Sequence, residues 1–414
     1  LAAVGRWLAI FALLAAAPAA SAGQLLSLIE FGPEYFAGEG WAVLEPALGW
    51  DTEQLQLELA LPLRMRLNPA QASAHGRFRK EDWDDLSDAG RALKRLDLIA
   101  GERSLVLHLG ALAHQNLGHG TIVNGFGNAL NPDQLPVGGL GRLAVSGVAI
   151  EALASDLLGP GIFGGGLSLE PLSFWGEPND RLHLTATAVA DWKAPLSQGT
   201  EHLVVYGGGI DAAILRSQVL KLAPYFDLNS RGAGWGIHAG LLADLALGGA
   251  DFSLKAEWRR AEAPYQPEYF DVVYLVERVA ATGGPSEGTP VPKAGAGGAI
   301  ENSWRGEARM KVRSLSAAAA LSSRGRGVLD ASAVLSAEVG AVELAGFAAL
   351  RAFDWGENPQ KTYFFAEARY RFTPFLYLWG LGGKLYRLLP QDGELDRIEP
   401  TWQLGAGIGG AVAL

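Results

Sequence analysis

The chain has 414 residues, 54 of them glycine and none cysteine, with 19% charged residues and a formal net charge of −10. The acidic balance argues against nucleic-acid binding, and the lack of cysteine excludes a disulfide framework, a thiol-linked lipid anchor and Cys-based metal sites. Glycine this abundant without a Gly-X-Y period is not collagen, and no charge-free apolar run of roughly 18 residues follows the N-terminal segment, which excludes a helical membrane protein.

Arg6 precedes an apolar run from Trp7 to Ala17, and Ala20-Ser21-Ala22 offers a small-residue cleavage site before Gly23. This is the pattern of a secretory signal peptide over 1–22. Its removal takes Arg6 with it, so the net charge moves from −10 to −11. The mature chain is then secreted, periplasmic or in the outer membrane.

The stretch 54–67, QLQLELALPLRMRL, sets the pattern for the rest of the chain. Leu55, Leu57, Leu59, Leu61, Leu63, Met65 and Leu67 fall on one face, and Gln54, Gln56, Glu58, Arg64 and Arg66 on the other. A period of two is a strand, since a helix would scatter these residues around its axis. A tilted strand needs roughly 9 to 11 residues to cross a bilayer, and an apolar-out, polar-in dyad is what a transmembrane barrel wall requires.

Similar segments run at 25–32, 41–50, 103–114, 142–154, 160–174, 181–191, 202–215, 219–228, 235–247 and 251–261, then at 303–312, 315–322, 328–339, 342–355, 362–373, 375–387 and 401–414. With 54–67 they make about 18 strands, or about 16 if the first is discounted and the break between Val312 and Leu315 is a bulge. Counting from a periplasmic N-terminus puts the short turns at 51–53, 176–180, 248–250, 340–341 and 373–374 in the periplasm. The connections 68–101, 192–201, 262–302, 356–361 and 388–400 fall outside, as such barrels demand. The connection 115–141 disobeys: it is long, yet the count places it in the periplasm.

The faces of later segments agree. Phe252, Leu254, Ala256 and Trp258 oppose Ser253, Lys255, Glu257 and Arg259; Trp304, Ala308, Met310 and Val312 oppose Arg305, Glu307, Arg309 and Lys311; Phe364, Ala366, Ala368 and Tyr370 oppose Tyr363, Glu367, Arg369 and Arg371. Trp50, Trp192, Trp304, Trp355, Trp379 and Trp402 stand near segment ends and suit interfacial girdles. A water-soluble sandwich would share the alternation, but strand length, turn parity and these aromatics favour the membrane.

A cleavable signal, about 18 dyad-repeat strands and the terminal strand TWQLGAGIGGAVAL together resemble a Gram-negative outer-membrane β-barrel of porin type, over the whole mature chain. The resemblance implies an all-β, transmembrane, antiparallel up-and-down barrel in the cell outer membrane, surrounded by outer-membrane lipid and inserted by the barrel-assembly machinery. Its usual final aromatic is replaced by Leu414, although Trp402, Leu404, Ile408, Val412 and Leu414 keep an apolar outward face.

Three connections invite functional readings. In 68–101, Asp84 or Ser87 is placed to cap a short helix with Leu86, Leu93 and Leu96 on one face. Asp84, Asp85 and Asp88 facing Arg91 and Arg95 would make a constriction; the alternative is a solvated lid. In 117–133, His119, Thr121, Asn124 and Asn128 among Gly118, Gly120, Gly125 and Gly127 read as a tucked-in plug or ligand-contacting loop, or else as a bulged extension of 103–114. PEYF at 267–270 echoes PEYF at 33–36, as aromatic turns at the membrane interface or as a partner surface, and the Gly/Pro-rich remainder 283–299 reads as a mobile linker.

The seven histidines, at 75, 108, 114, 119, 183, 202 and 238, stand beside no Ser or acid motif, so neither an enzyme nor a cofactor or metal site is expected. The expected function is passive or weakly selective diffusion of small hydrophilic solutes. Glu58, Arg64, Arg66, Lys255, Glu257, Arg305, Glu307, Arg309, Lys311, Glu367, Arg369 and Arg371 would line the lumen and set its selectivity. The competing expectation is a plugged barrel serving as an envelope anchor or docking platform, and homo-oligomer or envelope-complex partners stay open.

Overall fold

The computed structural model describes residues 24–68, 76–101, 104–159, 161–175, 181–195, 200–279, 293, 300–325, 327–353, 361–389 and 397–413. The expected signal peptide, most of the linker 283–299, Trp355 and Leu414 lie outside these residues.

The wall is a closed antiparallel barrel of 20 strands. In order they are Gln24–Phe36, Glu39–Asp51, Leu55–Ala60 continued by Leu63–Arg66, Leu93–Ala100, Leu105–Gly110, Gly138–Val145, Val148–Ala154, Ile162–Leu169, Leu182–Pro195 and Thr200–Ala212 continued by Leu215–Arg216. The second half comprises Leu220–Arg231, Gly234–Leu247, Ala250–Ala261, Ile300–Val312, Leu315–Gly325, Val328–Val339, Val342–Phe353, Lys361–Arg371, Leu376–Leu389 and Arg397–Ala413. The first strand pairs with the second and also with the last, from Leu26↔Ala413 to Phe36↔Gln403, which closes the cylinder and leaves no free edge.

The count of about 18 is corrected in two places. Leu93–Ala100, expected in a loop helix, is a strand bonded to Leu55–Ala60 and Leu105–Gly110. Its sequence LKRLDLIA carries both helical and strand spacing, and the neighbouring strands decide between them. Residues 142–154, expected as one strand, belong to a hairpin turning at Ser146 (φ 42°) and Gly147 (φ 80°), the two positive φ values of a tight hairpin turn. Val312 and Leu315 end separate strands around a turn, so the bulge alternative falls away. The stretch 54–67 forms a single wall strand as expected, interrupted at Leu61 and Pro62 with unbroken register (Ala47↔Ala60, Leu44↔Leu63), because proline brings no donor to the ladder.

These corrections remove the parity conflict. With 93–100 counted as a strand, the loop 111–137 moves to the same end as 67–92 and 262–299, while 52–54, 146–147, 217–219, 248–249, 313–314 and 340–341 turn at the other. By the usual orientation the loop end is external and the turn end periplasmic.

Outside, the wall is apolar. Ile29, Phe31, Ile150, Leu184, Leu254, Trp258, Trp304, Leu344, Leu378, Trp402, Leu404 and Ile408 are large, exposed and on the outward face. No helix of the described residues is long and apolar enough to cross a membrane; the strands do the crossing. Trp379 departs from its expected girdle position. It faces inward, 7% exposed, with its indole lying across Gly405 and Gly407.

Candidate functional site

The lumen has two halves. At the periplasmic end it is an open vestibule of small and charged side chains. Ser316, Ser336, Lys311 and Asp244 are exposed on the inner face, Arg309 bonds Glu307 at 2.6 Å, and Arg369 bonds Glu367 at 2.9 Å and Glu30 at 3.2 Å. Arg371 pairs with Glu343, and the Tyr377 hydroxyl donates to Glu30 at 2.8 Å.

In the external half, residues 111–137 and 262–279 fold inward and build a plug. Strands Gln115–Leu117 and Val123–Phe126 are antiparallel, and Phe270–Asp271 joins Val123 and Asn124 in parallel, so the two loops share one small sheet. Phe270 N–H donates to Ile122 O (3.0 Å) and Glu268 N–H to Thr121 O (2.8 Å), while the Asn124 amide donates to Glu268 (3.1 Å). Gly118, Gly120 and Gly125 have φ of 55°, 76° and 66°, conformations that glycine adopts at least cost. Leu112, Leu117, Ile122, Val123, Phe126, Tyr265, Tyr269, Phe270 and Tyr274 form its core. Removing such apolar surface from water is worth about 25 cal/mol per Å², so the two loops hold together as a body.

The plug reading of 117–133 therefore prevails over the bulged extension. The PEYF segment at 267–270 is corrected: it is not an interfacial turn, while at 33–36 Tyr35 is exposed on the outward face. Tyr269 and Phe270 are plug core, whereas 33–36 ends a wall strand with Glu34 and Phe36 turned inward.

Polar tethers seat this body. His119 stands between Asp227 (2.7 Å to Nδ1) and Asp211 (3.0 Å to Nε2), and Lys255 Nζ donates to its backbone carbonyl at 2.7 Å. Donating from both ring nitrogens requires the imidazolium. Burial opposes that charge, but the hydrogen bonds and charges of Asp211 and Asp227 outweigh it and push His119 up to about 9. Gly207 and Gly209 make room here, since a Cβ on either would collide with Asn229 or Asp227. Tyr265 OH receives His238 (2.9 Å) and Asn229 (3.0 Å) and donates to Thr121 O (3.1 Å). On the strand next to that of Asp211, Asp191 accepts Arg278 (2.6 and 2.7 Å) and Tyr274 (3.0 Å).

Residues 76–92 add an ionic collar above. Arg64 bonds Glu34 (2.6 Å) and Asp82 (3.1 Å), Arg79 bonds Asp82 (2.5 Å) and Asp133, and Arg387 reaches Asp133 at 2.5 Å. The Phe36 ring lies beneath Arg79, Arg387 and Arg64 at 4.6, 5.8 and 5.9 Å. The expected helix is only the turns Lys80–Asp82 and Leu86–Asp88 followed by Ala89–Ala92, and Asp85 is the cap. Asp88 accepts the Asp84 and Asp85 backbone N–H groups and Arg91 Nε. Asp85 and Asp88 cap turns, and Arg91 reaches the Pro132 and Asp133 carbonyls at 2.8 Å, rather than facing one another across an opening, and Arg95 is on the wall, paired with Asp97 at 2.5 Å.

Glu58, Arg64, Arg66, Lys255, Glu257, Arg305, Glu307, Arg309, Lys311, Glu367, Arg369 and Arg371 all occupy lumen-facing register positions. The plug distinguishes them. Lys255, Glu257 and Arg305 are buried against it, whereas Arg309, Lys311, Glu367, Arg369 and Arg371 meet the vestibule. The lumenal histidines are each paired with an acid: His108 with Asp97 (2.5 Å), His183 with Asp211 (2.9 Å) and His238 with Glu257 (3.0 Å). Missed altogether were Asp191, Asp211, Asp227, Glu268, Asp271, Glu277 and Arg351. One signal was available, because Leu203-Val204-Val205-Tyr206 is apolar on both faces and a wall strand needs an inner apolar face only where something packs inside.

A closed wall with an apolar exterior and a charged, loop-filled interior defines a transmembrane β-barrel. No protein-family model matches the chain, and no curated protein matches it. Among solved structures, the outer membrane protein opdK from Pseudomonas aeruginosa is similar over 95% of this chain and 99% of that one, at 8% identity and a TM-score of 0.35. Pseudomonas aeruginosa OccK8 (OprE) is similar over 95% and 98%, at 9% identity and 0.34, and Acinetobacter baumannii OccAB2 over 95% and 98%, at 8% and 0.34.

Proposed function

We propose that the chain is an outer-membrane channel that passes small hydrophilic solutes, with the two-loop plug as its constriction. The observation that carries this reading is the contrast along the axis: a solvent-lined, mixed-charge vestibule below and a polar-tethered body above. A wall built only to anchor needs no exposed inner charges such as Lys311, Arg369 and Arg371. Export by a signal over 1–22, insertion by the barrel-assembly machinery and assembly into homo-oligomers belong to the same proposal.

A second reading, a plugged barrel acting as an anchor or docking platform, is favoured by the reach of residues 262–279. They bond Asp191 on one wall and Arg351, eight strands further round, on another. Conductance in planar bilayers separates the two. Stable ohmic openings of refolded protein support the channel, and silence with correct folding supports the platform. Replacing Arg369 and Arg371 by glutamate should lower anion over cation permeability; an unchanged reversal potential removes both from the conduction path.

A further inference from the structure

The plug meets the wall differently on its two sides. Toward strands 148–154, 162–169, 182–195 and 200–212 its apolar core continues into Leu153, Ile162, Val189, Leu203 and Val205. Toward strands 250–261 through 342–353 its contacts are ionic, flanked by a smaller apolar cluster in which Val273 and Val276 meet Ala349, Tyr363 and Tyr386. Glu268 lies 2.8 Å from Arg305 and 3.3 Å from Arg259, Asp271 lies 2.7 Å from Arg351, and Glu277 lies 3.9 Å from Arg351 and 4.0 Å from Arg324. The plug's acids thus sit on an arc of four wall arginines. The wall adds Asp330 between Arg324 (2.6 Å) and Arg351 (3.3 Å), and Glu257 and Glu307 lower down.

Separation affects these sides unequally. Parting the apolar side would wet packed surface, and nothing in solution substitutes for it. On the ionic side only the smaller cluster around Val273 and Ala349 is wetted, and desolvation of a buried pair offsets most of its attraction, so less stability is lost than on the apolar side provided the guanidiniums regain an anionic partner. Another carboxylate or phosphate can supply that partner.

We propose that the plug stays anchored on its apolar side and that the solute path opens between it and the arginine arc, with an oligoanionic solute taking the guanidiniums that Glu268, Asp271 and Glu277 otherwise occupy. This rests on the channel reading. The same four arginines then both select the solute and release the constriction, because an anion bound there and a seated plug exclude each other and the coupling is reciprocal.

The test uses two variants and citrate as the probe. Val273 of the plug and Ala349 of the wall pack in one buried cluster on the ionic side, and the chain has no cysteine of its own. Val273→Cys with Ala349→Cys should close the channel when oxidised and reopen it with reductant. Glu268→Gln with Asp271→Asn should raise the open probability several-fold without citrate, and citrate should raise it in the wild type. An oxidised double-cysteine channel, its cross-link verified, that conducts like the reduced one overturns the proposal, as does a conducting wild type indifferent to citrate. Silence of every form in folded barrels counts against the channel reading itself.

Discussion

Raising the pH should loosen the plug through His119. Its folded value is raised from the ordinary 6.5 to about 9, so its stabilisation is complete below 6.5 and is lost as pH climbs through about 9. At about 1.4 kcal/mol per unit, the charged tether contributes at most about 3.5 kcal/mol, roughly 300-fold in the ratio of seated to released plug. The groups facing it are Asp211 and Asp227, with His183 sharing Asp211, Lys255 on its backbone carbonyl and the Tyr225 ring at 4.7 Å. Replacing Leu117, deep in the plug core, by cysteine gives a reporter for a membrane-impermeant thiol reagent. Its labelling rate is followed from about pH 6 to about pH 10, across the window set by the two values, with and without His119→Gln. The ratio of the two rates cancels the thiol's own titration. It should be far from one at low pH, where only the histidine chain has a charged tether, and approach one above pH 9. A ratio that stays flat refutes the assignment of the tether to the imidazolium.

Other expectations rest on single contacts. Asp191→Asn leaves Arg278 without its carboxylate and should cost about 3 kcal/mol locally, read as faster tryptic cleavage after Arg278. Gly32→Val should destabilise barrel closure by at least about 1–3 kcal/mol, seen in the loss of the compact band on unheated gels, because a Cβ at Gly32 would lie 2.1 Å from Ala406 O across the seam. Leu404→Arg on the lipid face should cost about 2–4 kcal/mol in a lipid-vesicle unfolding titration, and Ser332→Arg on the lumenal face far less; equal costs would refute the assignment of faces.

The wall was legible because its constraint is local. Each strand must present apolar side chains to lipid and polar ones inward, and a period of two written in residues such as Leu55 to Leu59 or Phe364 to Tyr370 states that on its own. The strand count was less so. LKRLDLIA fits a helix as well as a strand, and a Ser146-Gly147 turn inside unbroken alternation gives a weak punctuation signal. The site split along the same line. Lumen-facing charges such as Arg305 and Glu257 could be read from their alternation, but their partners could not, since Glu268, Asp271 and Asp191 lie 37, 80 and 87 positions from the residues they bind.

By itself, then, the order of residues determined which face of each strand meets lipid, because that choice is settled between a side chain and its solvent. Whether the lumen is empty or filled was decided only in three dimensions. It depends on two distant loops finding one another inside a cylinder, where the gain from burying Phe126 beside Tyr269 and Phe270 exists only once the wall has closed around them.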